Sequence, residues 1–348
     1  MTPVAVVVIG RNEGERLVRA LRSVAGCARV VYVDSGSSDG SVAAAPREGA
    51  EVVALDTSVP FTAARGRNAG LQHLRDRAGM PGYVQFLDGD CEMNPGWLEQ
   101  GAAFLDAHPR AAAVFGRLRE RFPERSLYNR LCDLEWDQAP VGEARACGGI
   151  ALMRGAALAE VGGFREDVIA GEEPELCARL RARGWSIHRM DAEMALHDAA
   201  MTRFGQWWKR TVRAGHAWAQ GAWLHAGRTD RYGVRPVLSA LLWGVAIPLL
   251  GLLLAIAASP WWLLLFVAYP AQWARMTWRE ARRGRPLELA WRHAALLLLA
   301  KFAHVLGVIR FGVGALARRP ARIIEYKTPE AAELIGAPEA APVVGGPL

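Results

Sequence analysis

Tyr83 to Leu87 is an apolar run that stops abruptly at two carboxylates, Asp88 and Asp90, with only Gly89 between them. A short apolar run ending in turn chemistry reads as a buried strand that delivers its last side chains to the edge of a sheet. With no bulk on the intervening residue, the two aspartates can face one small volume. Two like charges held together are costly without a cation, and a hard divalent ion with oxygen ligands offsets that cost. A metal site is therefore one expectation for this stretch. Asp and Gly are also ordinary turn residues, and Asp-Gly-Asp taken alone fits a polar strand-to-turn junction better. The remainder of the chain decides between the two.

Val4 to Ile9 is an unbroken apolar run, as expected of a central strand covered on both faces. Gly10-Arg11-Asn12-Glu13 then turns the chain toward a helix whose apolar positions, Leu17, Leu21 and Val24, keep helical spacing. A second strand, Arg29 to Val33, ends at Asp34, followed by Ser-Gly-Ser-Ser-Asp-Gly-Ser. Strand, helix, strand with polar residues at each strand's carboxyl end is the layout of an open α/β sheet that binds ligands along that edge. Neither a GxGxxG fingerprint nor a GxxxxGK[ST] loop occurs, which removes the basis for a dinucleotide dehydrogenase or a P-loop enzyme. Asp34 can accept hydrogen bonds from a nucleobase or ribose, while Ser35 to Ser41 is also ordinary turn composition. After a third strand, Glu51 to Leu55, comes the helix start Phe61 to Gly70 with two arginines. Arg65 suits a phosphate near a helix amino terminus, whereas Arg67 is expected on a solvated basic face.

Within 348 residues there is room for a catalytic domain plus further elements, and the net charge of +7 favours an anionic partner. The five cysteines, Cys27, Cys91, Cys132, Cys147 and Cys177, are scattered with no CxxC pair. Such a set argues for reduced thiols facing a cytosol rather than a disulfide scaffold or zinc cluster. The amino-terminal residues lack a basic start and a small-residue cleavage site, and read as a first core strand rather than a signal peptide.

In order and interval, the apolar strand with Arg-Asn-Glu, the Val33 to Ser41 block, the Ala64 to Gly70 helix and Gln85 to Asp90 resemble the inverting family 2 glycosyltransferases of the GT-A fold. The resemblance continues through Cys147-Gly148-Gly149, Leu152 to Phe164 and Gly171 to Trp185, roughly the first two thirds of the chain. It implies a Rossmann-type mixed sheet flanked by helices, with Asn12, Glu13 and Asp34 at the nucleoside, Arg65 near the base or phosphates, and Asp88 with Asp90 at the sugar diphosphate and its Mg2+ or Mn2+. The family's general base is an aspartate in a Glu-Asp pair just before a helix. Here the pair is Glu172-Glu173 with Pro174 next, suited to a first helical turn. Glu173 takes the aspartate's place, one methylene longer, so either it or Glu172 is the base. His197, after the base motif, is either a further metal or diphosphate contact or a structural strand-end histidine. The donor implied is a nucleotide-diphospho-sugar, UDP more commonly than GDP.

Beyond about residue 200 the character changes, and ten of the 13 tryptophans lie after Trp185. Residues 201–236 interleave Trp207, Trp208, Trp218 and Trp223 with Arg203, Lys209, Arg210 and Arg213, a basic amphipathic or interface segment. No nucleic-acid-binding module accompanies it, so no nucleic-acid partner is expected. Val237 to Ala258 is apolar throughout and long enough to cross a bilayer, with a return segment expected to complete a hairpin over 237–274. An Arg-rich loop over 275–293, together with Arg228, Arg231 and Arg235, is expected to face the cytosol. The third apolar stretch, 294–317, contains Lys301, His304 and Arg310 and precedes Arg318, Arg319 and Arg322; it is an interfacial or a third membrane helix. Residues 328–348 read as a disordered tail. The expectation is a catalytic domain over 1–200 followed by membrane helices at the inner membrane, acting in the cytosol on a lipid-linked or glycan acceptor. A sugar-nucleotide-binding scaffold and a nucleotidyltransferase are the alternatives.

Overall fold

The computed structural model describes residues 2–227, 231–318 and 323–325. Arg228, Arg319, Arg322 and the expected tail lie outside the described residues. The chain opens with β1 (Val4–Gly10), α1 (Glu15–Ser23), β2 (Arg29–Asp34), α2 (Ser41–Ala44), β3 (Glu51–Ala54), α3 (Ala63–Ala78) and β4 (Tyr83–Asp88). There follow β5 (Cys91–Met93), α4 (Trp97–Ala107), β6 (Ala111–Glu120), α5 (Leu127–Trp136), β7 (Gly142–Ala144), β8 (Ala151–Arg154), α6 (Gly155–Val161), α7 (Glu172–Ala182) and β9 (Ser186–His197).

These strands form one mixed sheet in the order β3-β2-β1-β4-β8-β6-β9-β5, with β7 also paired to β9. The first four are parallel, and β8 runs antiparallel to β4 and β6. Val6, Val7 and Val8 are fully buried, as a strand covered by helices on both faces requires. On one side Leu17, Leu21 and Val24 of the α1 region sink into the core, each burial of this kind contributing about 1.5–3 kcal/mol. On α3 the closest approach to the sheet is made at glycines, beside buried Ala64, Leu71 and Leu74. A Cβ at Gly70 would sit 2.4 Å from Val7 Cγ1, and one at Gly66 would sit 3.2 Å from Ile9 Cγ2. The helix therefore lies almost against the strands.

The parallel register places Gly10 beside Asp34 and Ile9 beside Asp88, so the carboxyl ends of β1, β2 and β4 share one edge. One difference from expectation lies on β9. Residues 185–189 and 193–196 read as two strands because Asp191 and its neighbours interrupt the apolar pattern, yet they form one long strand. Register shifts against β6 around Arg117 absorb the irregularity, as β-bulges do.

Beyond the sheet come α8 (Phe204–Leu224), α9 (Val234–Leu241), α10 (Ile247–Ala257), α11 (Ala268–Arg282) and α12 (Leu287–Leu316). A π-helical segment, Leu242–Ala246, joins α9 to α10 just ahead of Pro248. Proline has no amide for the helical ladder and crowds the carbonyl four residues earlier, and a π-turn relieves both problems. Among the described residues, two helical stretches are long and apolar enough to cross a membrane, Val234–Ala257 and Leu287–Leu316. Over the expected return segment the chain forms a 3₁₀ stretch, Pro260–Val267, leading into the more polar α11.

The stretch expected as an Arg-rich loop is largely helical, and Glu280 is buried within it. Arg285, Arg283 at 3.1 Å and His293 at 3.6 Å surround that carboxylate. The third apolar stretch begins earlier than its composition suggests, at Leu287, and crosses α8 at backbone contact. A Cβ at Gly215 would lie 2.2 Å from the His304 carbonyl oxygen, and one at Gly307 would lie 2.1 Å from that of Val212. One face of α12 is thus committed to the rest of the protein.

Candidate active site

The loops after β1 and β2 clasp each other. Asn12, at φ 56°, accepts a hydrogen bond from the Ser38 N–H at 2.7 Å, and its own N–H donates to Ser37 Oγ at 2.9 Å. Asparagine tolerates this left-handed conformation better than most side chains. Asp34 accepts from the N–H groups of Gly36 and Ser37 and from the Tyr32 hydroxyl, all at 2.9 Å. Buried beside it, the Tyr32 hydroxyl is pushed above its ordinary range, chiefly by desolvation. Glu13 pairs with Arg16 at 2.7 Å, and its chain runs between Gly10 and Gly89, where any Cβ would meet its Cγ at 3.1 Å. Gly89 therefore serves this approach as well as separating the aspartates.

Asp88 and Asp90 end in different surroundings. Asp88 accepts from Arg67 Nη2 at 3.0 Å, and the same guanidinium donates through Nη1 to Glu172 at 2.5 Å. Burial alone would lower the Arg67 pKa, but the two carboxylates outweigh it and hold it above its ordinary value. The turn of Cys147 to Gly149 closes over this pair: a Cβ at Gly149 would lie 3.0 Å from Arg67 Nη2 and 3.4 Å from Asp88 Oδ2. Asp90 is 5 % exposed and its Oδ2 lies 3.3 Å from His197 Nε2. Register makes this meeting, because Cys91 on β5 pairs with His197 on β9. Behind the imidazole, Glu120 faces Nδ1 at 3.8 Å, and Trp136 stands edge-on to the ring.

Asp90, Cys91 and His197 offer ligand atoms lying within 4.8 Å of one another. A carboxylate and an imidazole backed by a second carboxylate fit a divalent cation, since ligating histidines are commonly oriented in this way. Asp88 stands apart from this group. The structure thus joins Asp90 with His197 and joins Asp88 with Glu172.

Glu172 and Glu173 both lie in the first turn of α7 rather than before it, where the helix dipole favours negative charge. Glu173 is 4 % exposed, and its Oε1 accepts from the Cys147 N–H at 2.5 Å and from Cys177 Sγ at 3.1 Å. Burial raises the Glu173 carboxyl, partly opposed by those donors. Arg65, expected near the nucleotide, is committed elsewhere. Its guanidinium donates to the carbonyls of Val59, Pro60 and Asp56, bracing the loop ahead of α3.

Residues 5–162 match the sequence profile of Glycosyl transferase family 2. The matched segment contains both aspartates and the clasped loops, while the paired glutamates and His197 lie beyond it. A pre-mycofactocin glycosyltransferase of Mycobacterium tuberculosis is 28% identical over 243 residues, covering 65% of this chain and 49% of that protein. The chain thus spans about half the length of that relative. Glycosyltransferase AglE of Haloferax volcanii is 24% identical over 256 residues, covering 69% of this chain and 79% of its own. Among solved structures, the mannosyltransferase PcManGT from Pyrobaculum calidifontis, in complex with GDP-Man and Mn2+, superposes with a TM-score of 0.56 at 20% identity. The superposition covers 89% of this chain and 87% of that one, and the shared architecture is the GT-A-like mixed sheet flanked by helices.

Arg67 is the site residue that the sequence pattern misplaces. Rather than lying on a solvated face, it is 2 % exposed and bridges Asp88 to Glu172. The flanking glycines carry the missed signal: Gly66 and Gly70 mark the face of α3 laid on the sheet, and Arg67 adjoins it. Replacing Arg67 with Met is expected to destabilise the protein by about 3 kcal/mol, the low end for breaking a buried pair because Asp88 is partly solvated. Unfolding of the detergent-solubilised chain followed by intrinsic fluorescence measures this. A change indistinguishable from zero would return Arg67 to the surface.

Proposed function

We propose that this chain is a membrane-associated, metal-assisted glycosyltransferase that moves a sugar, with inversion, from a nucleotide-diphospho-sugar to a lipid-linked or cell-surface glycan acceptor. The observation that carries the proposal is the convergence of the sheet edge and the glutamate pair through Arg67, which links Asp88 to Glu172. Donor-binding and base-bearing elements therefore address one place. The match to Glycosyl transferase family 2 over residues 5–162 and the named activities of the relatives support the same reaction class.

On this reading the clasped loops hold the nucleoside, with the Asp34 and Glu13 carboxylates at the ends of adjacent parallel strands. Asp88 and Arg67 lie at the diphosphate, where a buried guanidinium is suited to developing phosphate charge. Asp90 and His197 would hold a Mg2+ or Mn2+ ion, which neutralises charge on a departing nucleoside diphosphate when bound. Support for a metal comes from the donor set itself and from the Mn2+ in the PcManGT complex. Glu173 accepts the proton of the attacking hydroxyl. A carboxylate whose pKa is raised by burial, and which is not neutralised by an arginine of its own, is the better base of the pair.

Membrane association is supported by the outward face of α10, where Leu249, Leu250, Leu252, Leu253 and Ile256 are exposed, and by Trp261, Trp262 and Leu264 next to it. A patch of this kind on a soluble surface would be costly, and acyl chains are its natural cover. The proposed setting is the inner membrane with the catalytic domain toward the cytosol, where nucleotide sugars are available.

The test is a panel of UDP- and GDP-sugars incubated with the detergent-solubilised full chain and Mn2+ or Mg2+. Release of a nucleoside diphosphate is the expected result, and the panel decides whether UDP is preferred to GDP. Release of pyrophosphate would instead indicate nucleotidyl transfer, and binding without any product would indicate a scaffold.

A further inference from the structure

The environment of Glu173 contains two cysteines, and nothing in the family resemblance assigns either of them a role. Cys177 lies one turn along α7 from Glu173, the i,i+4 spacing that brings side chains together on a helix. Cys147 comes from the turn ahead of β8, thirty residues earlier in the sequence. Their sulfurs are 3.6 Å apart, and both residues are almost wholly inaccessible. Since Cys177 gives its proton to Glu173 Oε1, its sulfur is the acceptor toward Cys147. The chain of donors thus runs from Cys147 Sγ–H to Cys177 Sγ–H to the carboxylate, and the Cys147 N–H reaches the same oxygen.

We infer that Cys177 is a positioning residue for Glu173: its thiol, relayed from Cys147, fixes the carboxylate's orientation and supplies a hydrogen bond that burial would otherwise deny it. This inference rests on Glu173 being the general base. A buried carboxylate with too few donors is held in its neutral form, which cannot accept a proton. Hydrogen bonds to the charged form favour ionisation, and connected donors reinforce one another. Both thiols suit the task because they stay protonated. Burial pushes Cys147 well above the ordinary thiol range, and for Cys177 burial and the adjacent carboxylate outweigh the lowering effect of its bond from Cys147.

Other charged or titratable groups also face Glu173: Arg67 from α3, Glu172 on its own helix, and Tyr232 from the segment ahead of α9. Arg67 is already shared by Asp88 and Glu172. The thiol is therefore the contribution most specific to Glu173.

The experiment compares the full-length wild type, Cys177→Ala, Cys177→Ser and Glu173→Gln in detergent. One readout is the pH profile of nucleoside diphosphate release from UDP-glucose and GDP-mannose. The other is the infrared S–H stretching band, which falls in a window clear of other protein absorption. Cys177→Ala should shift the acidic limb of kcat upward by about one pH unit, the loss of one hydrogen bond to a charged group, while nucleotide affinity is unchanged. Cys177→Ser, which keeps a donor, should return the limb to its wild-type position. In the infrared, a strongly hydrogen-bonded S–H component should be present in the wild type, absent in Cys177→Ala and shifted to higher frequency in Glu173→Gln.

An unmoved limb in Cys177→Ala, a serine variant no better than alanine, or a wild type without the low-frequency S–H component would each overturn the inference. If Glu173→Gln turns over normally, it is the base assignment that fails. Loss of turnover in Glu173→Gln with an unmoved limb in Cys177→Ala removes the positioning role alone.

Discussion

Replacing Asp90 with Ala is expected to reduce nucleoside diphosphate release by on the order of 10²–10³-fold, the scale seen when a preorganised group opposite developing charge is removed. The carboxylate is nearly inaccessible and points at His197, so its loss removes the centre of the proposed metal set rather than a peripheral contact. Folding should survive the change, because the neighbouring strands are tied there by backbone: Asp198 N–H donates to the Asp90 carbonyl at 3.0 Å, a bond that alanine retains. Calorimetric titration of UDP and GDP with and without Mn2+ separates the two effects. The expected outcome is a nucleotide affinity that no longer responds to Mn2+. A variant in which Mn2+ still strengthens binding as in the wild type would move the metal away from Asp90 and His197, toward Asp88.

Asp90 and Asp88 also show how far local sequence can be read. That a buried strand delivers them to a sheet edge follows from the apolar run that precedes them. That they diverge does not, because the direction of each depends on partners distant in the chain: Arg67 on α3 for one and His197 on β9 for the other. The parallel strands β1, β2 and β4 were legible for a simple reason, since each is an apolar run with a buried centre closed by polar turn residues. β9 was not, because its half-exposed middle, between the parts paired to β7 and to β5, carries charged residues without ceasing to be a strand. Arg65 and Arg67 illustrate the limit of spacing arguments. Two residues apart on a helix they point in different directions, and only the glycine contacts of α3 with the sheet show which one turns inward. The Cys147 to Cys177 contact has no local signature at all, as it is made by the fold bringing α7 beneath the turn before β8. The apolar carboxyl-terminal segments were legible as such, but the commitment of α12 to α8 rests on Gly215 and Gly307, whose meaning appears only when the two helices meet.

Glutamate in place of the family's aspartate leaves two candidate bases, and the geometry distinguishes what each can do. Glu172 is held by Arg67 at 2.5 Å, which ties its carboxylate to the guanidinium shared with Asp88. Glu173 has hydrogen-bond donors on Oε1 and a carboxyl raised by burial, which brings its proton affinity closer to working pH. Glu173→Gln is therefore expected to lower transfer to a hydroxyl acceptor by about 10²–10⁴-fold, the usual contribution of a general base. Donor affinity should remain near the wild-type value, since the clasped loops and Asp88 are untouched. Glu172→Gln should do the reverse, weakening donor binding because Arg67 is released to Asp88 alone, while the rate at saturating donor is largely kept. Steady-state kinetics of both variants with the donor and acceptor that turn over best would display the two patterns side by side. If instead the loss in kcat belongs to Glu172→Gln, the longer reach of glutamate has been compensated by moving the base one residue back, and Arg67 becomes the group that orients it.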